Sequence, residues 1–291
     1  MHSERSASIG ADLALLAVAA IWGLTFSAVQ RALDAAAPMS FLAARFSLAA
    51  AVLFLCFPRR AFRITGRGLA VAALLGLWLT VGYGLQTIGL LYTTASKSAF
   101  ITGLSVVLVP ILSLAVSRAR PRASSLFAVL LAAAGLYLLT SPGAMGFNPG
   151  DLLTLGCAGA FALHIVTTER AAPRYDPLPL AFWQIATTAI ACTALMGIFE
   201  TPRLSLTGWT VAALVITGLL ATALAFAVQM WAQRRTGATH VAVIFTGEPV
   251  FAALFARFIQ HEVLGIAGLL GGALIITGIL VAQLGSRARE P

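Results

Sequence analysis

Charged residues are scarce in this sequence. Asp, Glu, Lys and Arg make up only 10% of its 291 residues, while 59% are hydrophobic. Soluble domains carry about 25% charged and about 45–50% apolar residues. So little charge excludes a secreted domain, a disordered chain and an ordinary nucleic-acid-binding protein. The apolar residues suffice for eight to ten helices of roughly 20 residues each, which predicts an integral membrane protein.

Cysteines are also few, and cofactor motifs are missing. Cys56, Cys157 and Cys192 lie in apolar stretches without a CxxC pair, so the sequence predicts neither a disulfide framework nor a metal site. It carries no ATP-binding motif, and we expect no cofactor. The apolar run behind Asp12 lacks a clear small-residue cleavage site, and we expect it to be a retained first helix.

Stretches almost free of charge mark the predicted membrane spans. Each has about the 17–25 residues that a membrane helix needs, whereas a β-barrel would show short alternating segments. We therefore predict an all-α integral membrane protein of ten helices. The spans are Leu13–Gln30, Met39–Phe57, one within Gly68–Ser96, Ser98–Ser117, Ala123–Thr140, Leu152–Thr168, Leu178–Phe199, Gly208–Gln233, Gly237–Ala256 and Val263–Gly285.

The basic residues are distributed unevenly over the connections between these spans. Fourteen of the 19 Lys and Arg residues fall on the side that holds the N-terminus. Because basic residues collect in cytoplasmic loops, we predict a plasma (inner) membrane protein with both termini in the cytoplasm. The net charge of +9 is interpreted as a mark of topology, with specific lipid or substrate binding as the alternative.

The second half of the sequence matches the first at a constant offset of 139 positions. Because five helices is an odd number, a second copy begins on the opposite side of the membrane, as in the inverted repeats of secondary transporters. We predict one five-helix repeat in residues 1–141, a connecting loop in 142–150 and a second repeat in 151–291. Matching pairs are Asp12 with Asp151, Trp22 with Phe161, Arg31 with Arg170, Pro38 with Pro177, Arg45 with Gln184, Tyr92 with Trp231 and Pro110 with Pro249.

Five motifs, in order along nearly the whole chain, resemble one known family. Ile21-Trp22-Gly23-Leu24-Thr25-Phe26 resembles the first-helix motif of the EamA branch of the drug/metabolite transporter superfamily. The run from Arg118 to Pro121 departs from the family, in which an acidic residue often follows the fourth helix. The other motifs are Pro38 to Phe46 with its intramembrane arginine, Thr94 to Pro110, Glu248 to Leu254, and Glu262 followed by Gly271 to Gly278.

The resemblance implies a ten-helix, basket-like carrier with a central cavity, usually an exporter of amino acids, metabolites or drugs. Among its members the aromatic amino-acid exporters are the nearest guide to the substrate. The expected partners are a small-molecule substrate and the lipid bilayer, without nucleic acid. The GxxxG pair of Gly268 and Gly272 fits helix packing within a monomer, with a dimer seam as the alternative.

Ionisable residues within the spans are functional candidates, because charge inside a membrane is costly. Glu248 is interpreted as a proton-coupling carboxylate or an acceptor for a substrate ammonium, with a structural ion pair to Arg45 as the alternative. Arg45 is favoured as a structural residue over a ligand for a substrate carboxylate. His164 is favoured as an interhelical hydrogen-bonding group over a proton relay. Lys97, at a helix start, is expected to extend to the surface.

Aromatic and amide side chains complete the candidate cavity. Such a lining suits an amphipathic organic substrate better than a bare ion, with helix packing as the alternative for each residue. Pro110 and Pro249 are hinge candidates because proline interrupts helix hydrogen bonding. The candidate cavity residues are Trp22, Arg45, Trp78, Tyr83, Gln86, His164, Trp183, Gln184, Gln229 and Glu248.

We therefore predict a secondary transporter that exports amino acids or related small amphipathic metabolites by alternating access. The alternatives within the superfamily are a multidrug carrier and a sugar-phosphate or nucleotide-sugar carrier. The second would need several cationic side chains in its cavity. An intramembrane enzyme is disfavoured because GxSxG and HExxH are missing, and a channel because no filter sequence is visible.

Overall fold

A computed structural model describes residues 2–117, 122–140, 148–259 and 265–287. Nearly all of these residues are helical, and one isolated antiparallel bridge joins Ala36 to Leu204. The prediction of an all-α protein is confirmed. Glu262, the run from Arg118 to Pro121 and most of the predicted connecting loop lie outside the described residues.

Proline and polar caps start many of the helices. Pro38, Pro58, Pro149 and Pro177 each occupy a first helical position, where the missing N–H has no intrahelical partner to lose. The helices are α1 (His2–Ala32), α2 (Pro38–Cys56), α3 (Pro58–Ala61), α4 (Gly66–Gly89), α5 (Ala95–Gly103), α6 (Ser105–Leu112), α7 (Ala123–Thr140), α8 (Pro149–Ala171), α9 (Pro177–Phe199), α10 (Gly208–Val215), α11 (Ala225–Ala232), α12 (Ala238–Phe245), α13 (Gly247–Ile259) and α14 (Ile266–Arg287). Two π-helical segments continue them, Ser113–Ser117 after α6 and Ile216–Leu224 between α10 and α11.

Eight helical segments of the described chain are long and apolar enough to cross a membrane. The fifth and tenth predicted spans correspond to two shorter apolar helices, Ala123–Leu138 and Ile266–Ala282. The protein is therefore a multi-pass helical membrane protein. The eight segments are Ile9–Ala32, Pro38–Cys56, Gly66–Gly89, Lys97–Ala115, Pro149–Ala171, Pro177–Phe199, Gly208–Ala232 and Ala238–Phe255.

Glycine lets several of these helices approach each other closely. A Cβ atom on Gly23 of α1 would lie 2.6 Å from the backbone oxygen of Glu248 in α13, and one on Gly76 of α4 would lie 2.5 Å from that of Gln184 in α9. Neither approach leaves room for a larger residue. Where α14 packs on α7, a Cβ on Gly135 would lie 2.6 Å from the oxygen of Gly271, whereas Gly272 of the predicted GxxxG pair has open space beside it.

Polar contacts hold the helices together at the end of the bundle where Asp12 lies, called here the N-terminal end. His240 Nε2 on α12 lies 3.0 Å from Asp12 Oδ1 on α1. The Ala238 N–H donates a hydrogen bond of 2.9 Å to Glu169 Oε1 on α8. The first of these contacts joins the two halves of the chain, and the second lies within the second half.

The opposite end of the bundle is held by two carboxylates, the half-buried Glu200 and the buried Asp151. Glu200, which follows α9, accepts a hydrogen bond of 3.0 Å from the Met39 N–H at the start of α2. Lys97 Nζ lies 2.6 Å from Asp151 Oδ2. The expectation that Lys97 extends to the surface is therefore wrong: its side chain is only 11% exposed because the buried Asp151 carboxylate attracts it into the protein.

Candidate functional site

A cavity lies among α1, α2, α4, α8 and the broken helices. It encloses about 790 Å³ of space not filled by atoms, part of it continuous with the cavity mouth. Its lining residues are Trp22, Thr25, Phe26, Val29, Arg45, Leu79, Tyr83, Gln86, Thr87, Leu90, Thr102, Gly103, Ser105, Phe161, His164, Ile165, Phe226, Gln229, Phe245, Thr246 and Glu248.

Two interrupted helices form part of the cavity wall. The interruption between α5 and α6 falls at Leu104, with ψ of −11°, and the one between α12 and α13 falls at Thr246, with ψ of −10°. Gly103 and Ser105 flank the first interruption and line the cavity, as do Thr246 and Glu248 at the second. Such interruptions are tolerated at membrane depth where they line a cavity, because groups there can satisfy the freed backbone.

The predicted hinge prolines lie beyond these interruptions. Pro249 is in the first turn of α13, three residues after Thr246, and it is buried. Pro110 lies inside α6, six residues after Leu104 and three before the π-helical segment that begins at Ser113. Each proline thus follows an interruption without forming it, and the hinge role stays a prediction.

The π-helical segment Ile216–Leu224 supplies polar partners to two cavity residues. The Trp22 indole N–H donates a hydrogen bond of 2.8 Å to the Ala221 oxygen. The Arg45 Nε–H donates one of 2.8 Å to Thr222 Oγ1. π-Helical turns are frequent at functional sites because their altered register redirects backbone groups. Here the segment fixes the orientation of an aromatic and a cationic side chain.

Arg45 and Glu248 line the same cavity without pairing. The Arg45 guanidinium lies 4.6 Å from the centre of the Tyr83 ring, in addition to its bond to Thr222. Within the described residues, the ion pairs are Lys97–Asp151 and Asp12–His240. The alternative of a structural Arg45–Glu248 ion pair is therefore not what the structure contains.

Glu248 is a half-buried carboxylate that faces the cavity. It lies in the first turn of α13, and its backbone oxygen is packed against Gly23 of α1. No described residue donates a hydrogen bond to the carboxylate or forms an ion pair with it. Its backbone is thus held against α1, and its carboxylate has no ion-pair or hydrogen-bond partner among the described residues.

Three buried glutamine side chains lie near His164, and one of them, Gln229, lines the cavity. His164 Nε2 is 2.8 Å from Gln184 Oε1, as expected for an interhelical hydrogen bond. The Gln229 amide donates a hydrogen bond of 2.8 Å to Gln233 Oε1, and Gln233 donates one of 3.1 Å to the Ile165 oxygen. Within the described chain the Gln229 Oε1 atom is buried without a hydrogen-bond partner. Like the Glu248 carboxylate, it is an acceptor without a donor among the described residues.

Seven of the ten candidate residues line the cavity, and Trp78, Trp183 and Gln184 do not. Trp183 donates its indole N–H to the Ala61 oxygen at 2.9 Å, near the surface. Gln184 lies behind His164, fully buried. The lining residues among the candidates are Trp22, Arg45, Tyr83, Gln86, His164, Gln229 and Glu248.

Much of the lining was not predicted from the sequence, chiefly phenylalanines and small hydroxyl residues. Phe161 had a usable signal, since it matches Trp22 at the offset of 139 positions. Thr25 follows Trp22 by one helical turn, a spacing that shares a face. Phe226 and Phe245 lie in apolar stretches, where nothing in the sequence marks them as lining residues. The centre of the Phe226 ring lies 5.7 Å from that of Trp22, and the centre of the Phe245 ring lies 4.9 Å from it.

A bundle of membrane helices around a polar, aromatic-lined cavity with interrupted helices in its wall is the construction of a membrane transporter. The comparisons with known proteins agree. The model of the EamA-like transporter family matches residues 9–141 and again residues 148–283. The chain belongs to this family and is a transporter, not an enzyme.

Relatives over nearly the full length carry only general names. An uncharacterized transporter of Archaeoglobus fulgidus is 36% identical over 274 residues, which is 94% of this chain and 86% of that protein. The uncharacterized transporter YoaV of Bacillus subtilis is 23% identical over 92% of this chain and 95% of its own. One solved crystal structure covers 99% of both chains with a TM-score of 0.79 at 22% identity, which supports the fold alone.

Proposed function

We propose that this transporter moves amino acids or related small amphipathic metabolites that carry an ammonium group, in the direction of export. The observation that carries the proposal is the state of the polar atoms in the cavity. The Glu248 carboxylate and Gln229 Oε1 have no partner among the described residues, and both are acceptors. Because both groups are hydrogen-bond acceptors, they are complementary to a donor such as an ammonium.

The cationic side of the cavity is partly engaged within the protein. Arg45 already donates to Thr222 and lies over Tyr83. Its remaining guanidinium donors suit a substrate carboxylate, which would make the cavity complementary to a zwitterion. Arg45 is the only Lys or Arg in the lining formed by the described residues. A sugar phosphate or nucleotide sugar would call for several cations, so this alternative is less well supported.

The walls favour an apolar substituent on the substrate. Six aromatic side chains line the cavity, and they give it a flat, largely apolar surface. This lining suits an aromatic or branched aliphatic amino acid better than a small hydrophilic one. The lining residues concerned are Trp22, Phe26, Tyr83, Phe161, Phe226 and Phe245.

For the transport cycle we infer alternating access by two five-helix halves of inverted topology, ten helices in all, with both termini in the cytoplasm. Three features support this inference. The family model matches once in each half. Packing is reciprocal, because α1 packs against α12 and α13 while α8 packs against α5 and α6. The two helix interruptions fall in corresponding helices of the halves, which also carry the matched prolines Pro110 and Pro249 as hinge candidates.

Glu248 is also our candidate for proton coupling. A carboxylate without a fixed partner can bind a proton in one half of the cycle and a substrate ammonium in the other. Competition for one carboxylate would link the proton gradient to substrate movement, without ATP.

The test is flux from proteoliposomes loaded with labelled phenylalanine, leucine or glycine, with and without a pH gradient. We expect phenylalanine and leucine to leave faster than glycine, and a pH gradient to change the rate. Glu248→Gln should abolish the response to the gradient, while the control Asp34→Asn, at an exposed loop position, should leave it unchanged. Normal gradient-dependent flux in Glu248→Gln would refute the coupling role. Flux of a sugar phosphate but of no amino acid would refute the substrate class.

A further inference from the structure

A second pocket lies at the N-terminal end of the bundle, separate from the central cavity. Three arginines line it from three different elements: Arg60 on α3, Arg174 between α8 and α9, and Arg234 after α11. No described carboxylate lies within 4.0 Å of their guanidinium nitrogens in an ion pair. Three like charges gathered around one pocket repel each other unless an anion joins them.

One carboxylate also lines this pocket, but it is already engaged. Asp176 Oδ1 accepts a hydrogen bond of 3.1 Å from the Leu178 N–H and so caps the start of α9. One carboxylate against three guanidinium groups leaves a positive excess. The pocket is therefore suited to an anion with several acceptor oxygens, as a phosphate has.

Packing around the pocket fixes the elements that carry the arginines. The Trp183 indole N–H donates to the Ala61 oxygen at 2.9 Å, which ties α3 to α9. A Cβ atom on Gly68 of α4 would lie 2.9 Å from Tyr175 Cδ1, so the segment next to Arg174 is closely packed. The backbone segments that carry Arg60 and Arg174 are thus held at the pocket before any ligand binds, while the arginine side chains themselves are exposed.

Apolar side chains in the same lining indicate where the rest of the ligand lies. Phe57 is 42% exposed and Trp231 is 37% exposed, and Leu178 completes this apolar part. All three belong to the ends of membrane-spanning segments, where a headgroup meets acyl chains. A phosphate bound by the arginines would leave its attached chains next to these residues.

We propose that this pocket binds a phosphate monoester or diester, and that its occupant is the headgroup of an anionic phospholipid. Basic pockets between membrane helices are suited to such headgroups. Arg60, Arg174 and Arg234 would contact the phosphate, and Phe57 and Trp231 would contact the glycerol and upper acyl chains. The proposal does not depend on the substrate of the central cavity.

The test is native mass spectrometry of the purified protein with added phosphatidylglycerol, phosphatidylcholine or soluble glycerol phosphate. The variant Arg60→Gln/Arg174→Gln/Arg234→Gln is compared with Arg59→Gln/Arg63→Gln/Arg67→Gln, which removes the same charge from exposed positions outside the pocket. Each arginine that contacts the headgroup should contribute roughly fivefold in affinity, so the first variant should bind phosphatidylglycerol roughly 100-fold more weakly than the wild type. The control variant should bind phosphatidylglycerol about as tightly as the wild type.

Binding of phosphatidylglycerol far above both other ligands, lost in the pocket variant alone, would establish the lipid as the occupant. If glycerol phosphate binds as tightly as phosphatidylglycerol, the pocket is a phosphate site for a soluble ligand. That result would refute the lipid as its occupant. Equal losses in both triple variants would show nonspecific attraction to basic charge. That result, or equal binding of phosphatidylcholine and phosphatidylglycerol, would overturn the proposal.

Discussion

The side chains of Lys97 and Asp151 form an ion pair of 2.6 Å between α5 and α8. The Asp151 side chain is fully buried, and it also accepts hydrogen bonds from the Thr93 hydroxyl at 2.9 Å and from the Asn148 N–H at 2.8 Å. The carboxylate therefore serves at once as a helix cap and as the partner of a membrane lysine. Through it the two halves of the chain are joined at the end opposite the N-terminus.

We expect Lys97→Met to destabilise the protein by about 3–5 kcal/mol, because it leaves a buried carboxylate without its cation. Lys97→Met/Asp151→Asn should recover most of this loss, since the asparagine carbonyl can still accept from the Asn148 N–H while its NH2 group donates to the Thr93 hydroxyl oxygen. Thermal unfolding in detergent, monitored by size-exclusion chromatography, measures both. A double variant as unstable as Lys97→Met would mean that lysine acts through packing rather than charge.

A second prediction concerns the contact of Gly23 with α13. Gly23→Ala would place its Cβ atom 2.6 Å from the Glu248 oxygen and 2.8 Å from the Ala252 nitrogen, and neither backbone atom can move without shifting the helix. Overpacking of this kind costs about 1–3 kcal/mol. We expect a lower melting temperature and slower transport, because Glu248 moves with its backbone.

The matched control is Gly159→Ala, within α8, where no atom lies within 4 Å of the added carbon. It removes a glycine from a helix interior and should leave stability unchanged or slightly raised. Gly23→Ala with unaltered melting temperature and transport would contradict the close approach of α1 and α13.

The helices were predictable because a membrane segment must satisfy its backbone internally, so that an apolar run of sufficient length implies a helix. The rotation of each helix about its own axis was not predictable from the sequence. Trp78 and Trp183 lie in spans with few polar residues, and so weak a pattern does not tell the cavity face from the lipid face. Intramembrane charge was a better guide, because Arg45 and Glu248 would be too costly on the lipid face and both line the cavity.

Contacts between distant segments could not be predicted from single residues. Lys97 at a helix start fits an exposed position, and only the folded bundle brings Asp151 next to it, 54 positions away. The helix interruptions at Leu104 and Thr246 could not be predicted from single residues either. Pro110 and Pro249 indicated the right helices, but the interruptions depend on how the cavity residues around them pack.

A third prediction tests the hydrogen bond from Trp22 to the π-helical segment. Trp22→Phe keeps an aromatic ring beside Phe226 and Phe245 but loses the 2.8 Å bond to the Ala221 oxygen. Losing one such bond costs about 0.5–1.5 kcal/mol. We expect modest destabilisation and weaker substrate binding, measured by thermal unfolding and by scintillation proximity with the transported amino acid.

Trp209→Phe is the control for this substitution. Trp209 is 42% exposed outside the cavity lining, and its ring lies 4.4 Å from the Arg31 guanidinium carbon. Its replacement should leave substrate affinity unchanged. Equal effects of the two substitutions on affinity would show that Trp22 has no special role in the cavity.

A last prediction concerns the contact between the halves at the N-terminal end. Asp12 on α1 and His240 on α12 are 3.0 Å apart and belong to different halves. If transport requires the halves to rock, a covalent link here should stop it. In a background without native cysteines, Asp12→Cys/His240→Cys joined by a short reducible thiol cross-linker should lose transport in proteoliposomes and regain it on reduction.

The control is Glu169→Cys/Ala238→Cys, which links α8 to α12 within the second half, where the wild-type residues are joined by a 2.9 Å hydrogen bond. Since the two helices would move together, cross-linking this pair should change the transport rate less than twofold relative to the same variant left unlinked. Equal inhibition by both links would mean that α12 moves within its own half, and the rigid-body description of the cycle would fail. Full activity of the linked Asp12→Cys/His240→Cys protein would show that the N-terminal end stays closed throughout the cycle.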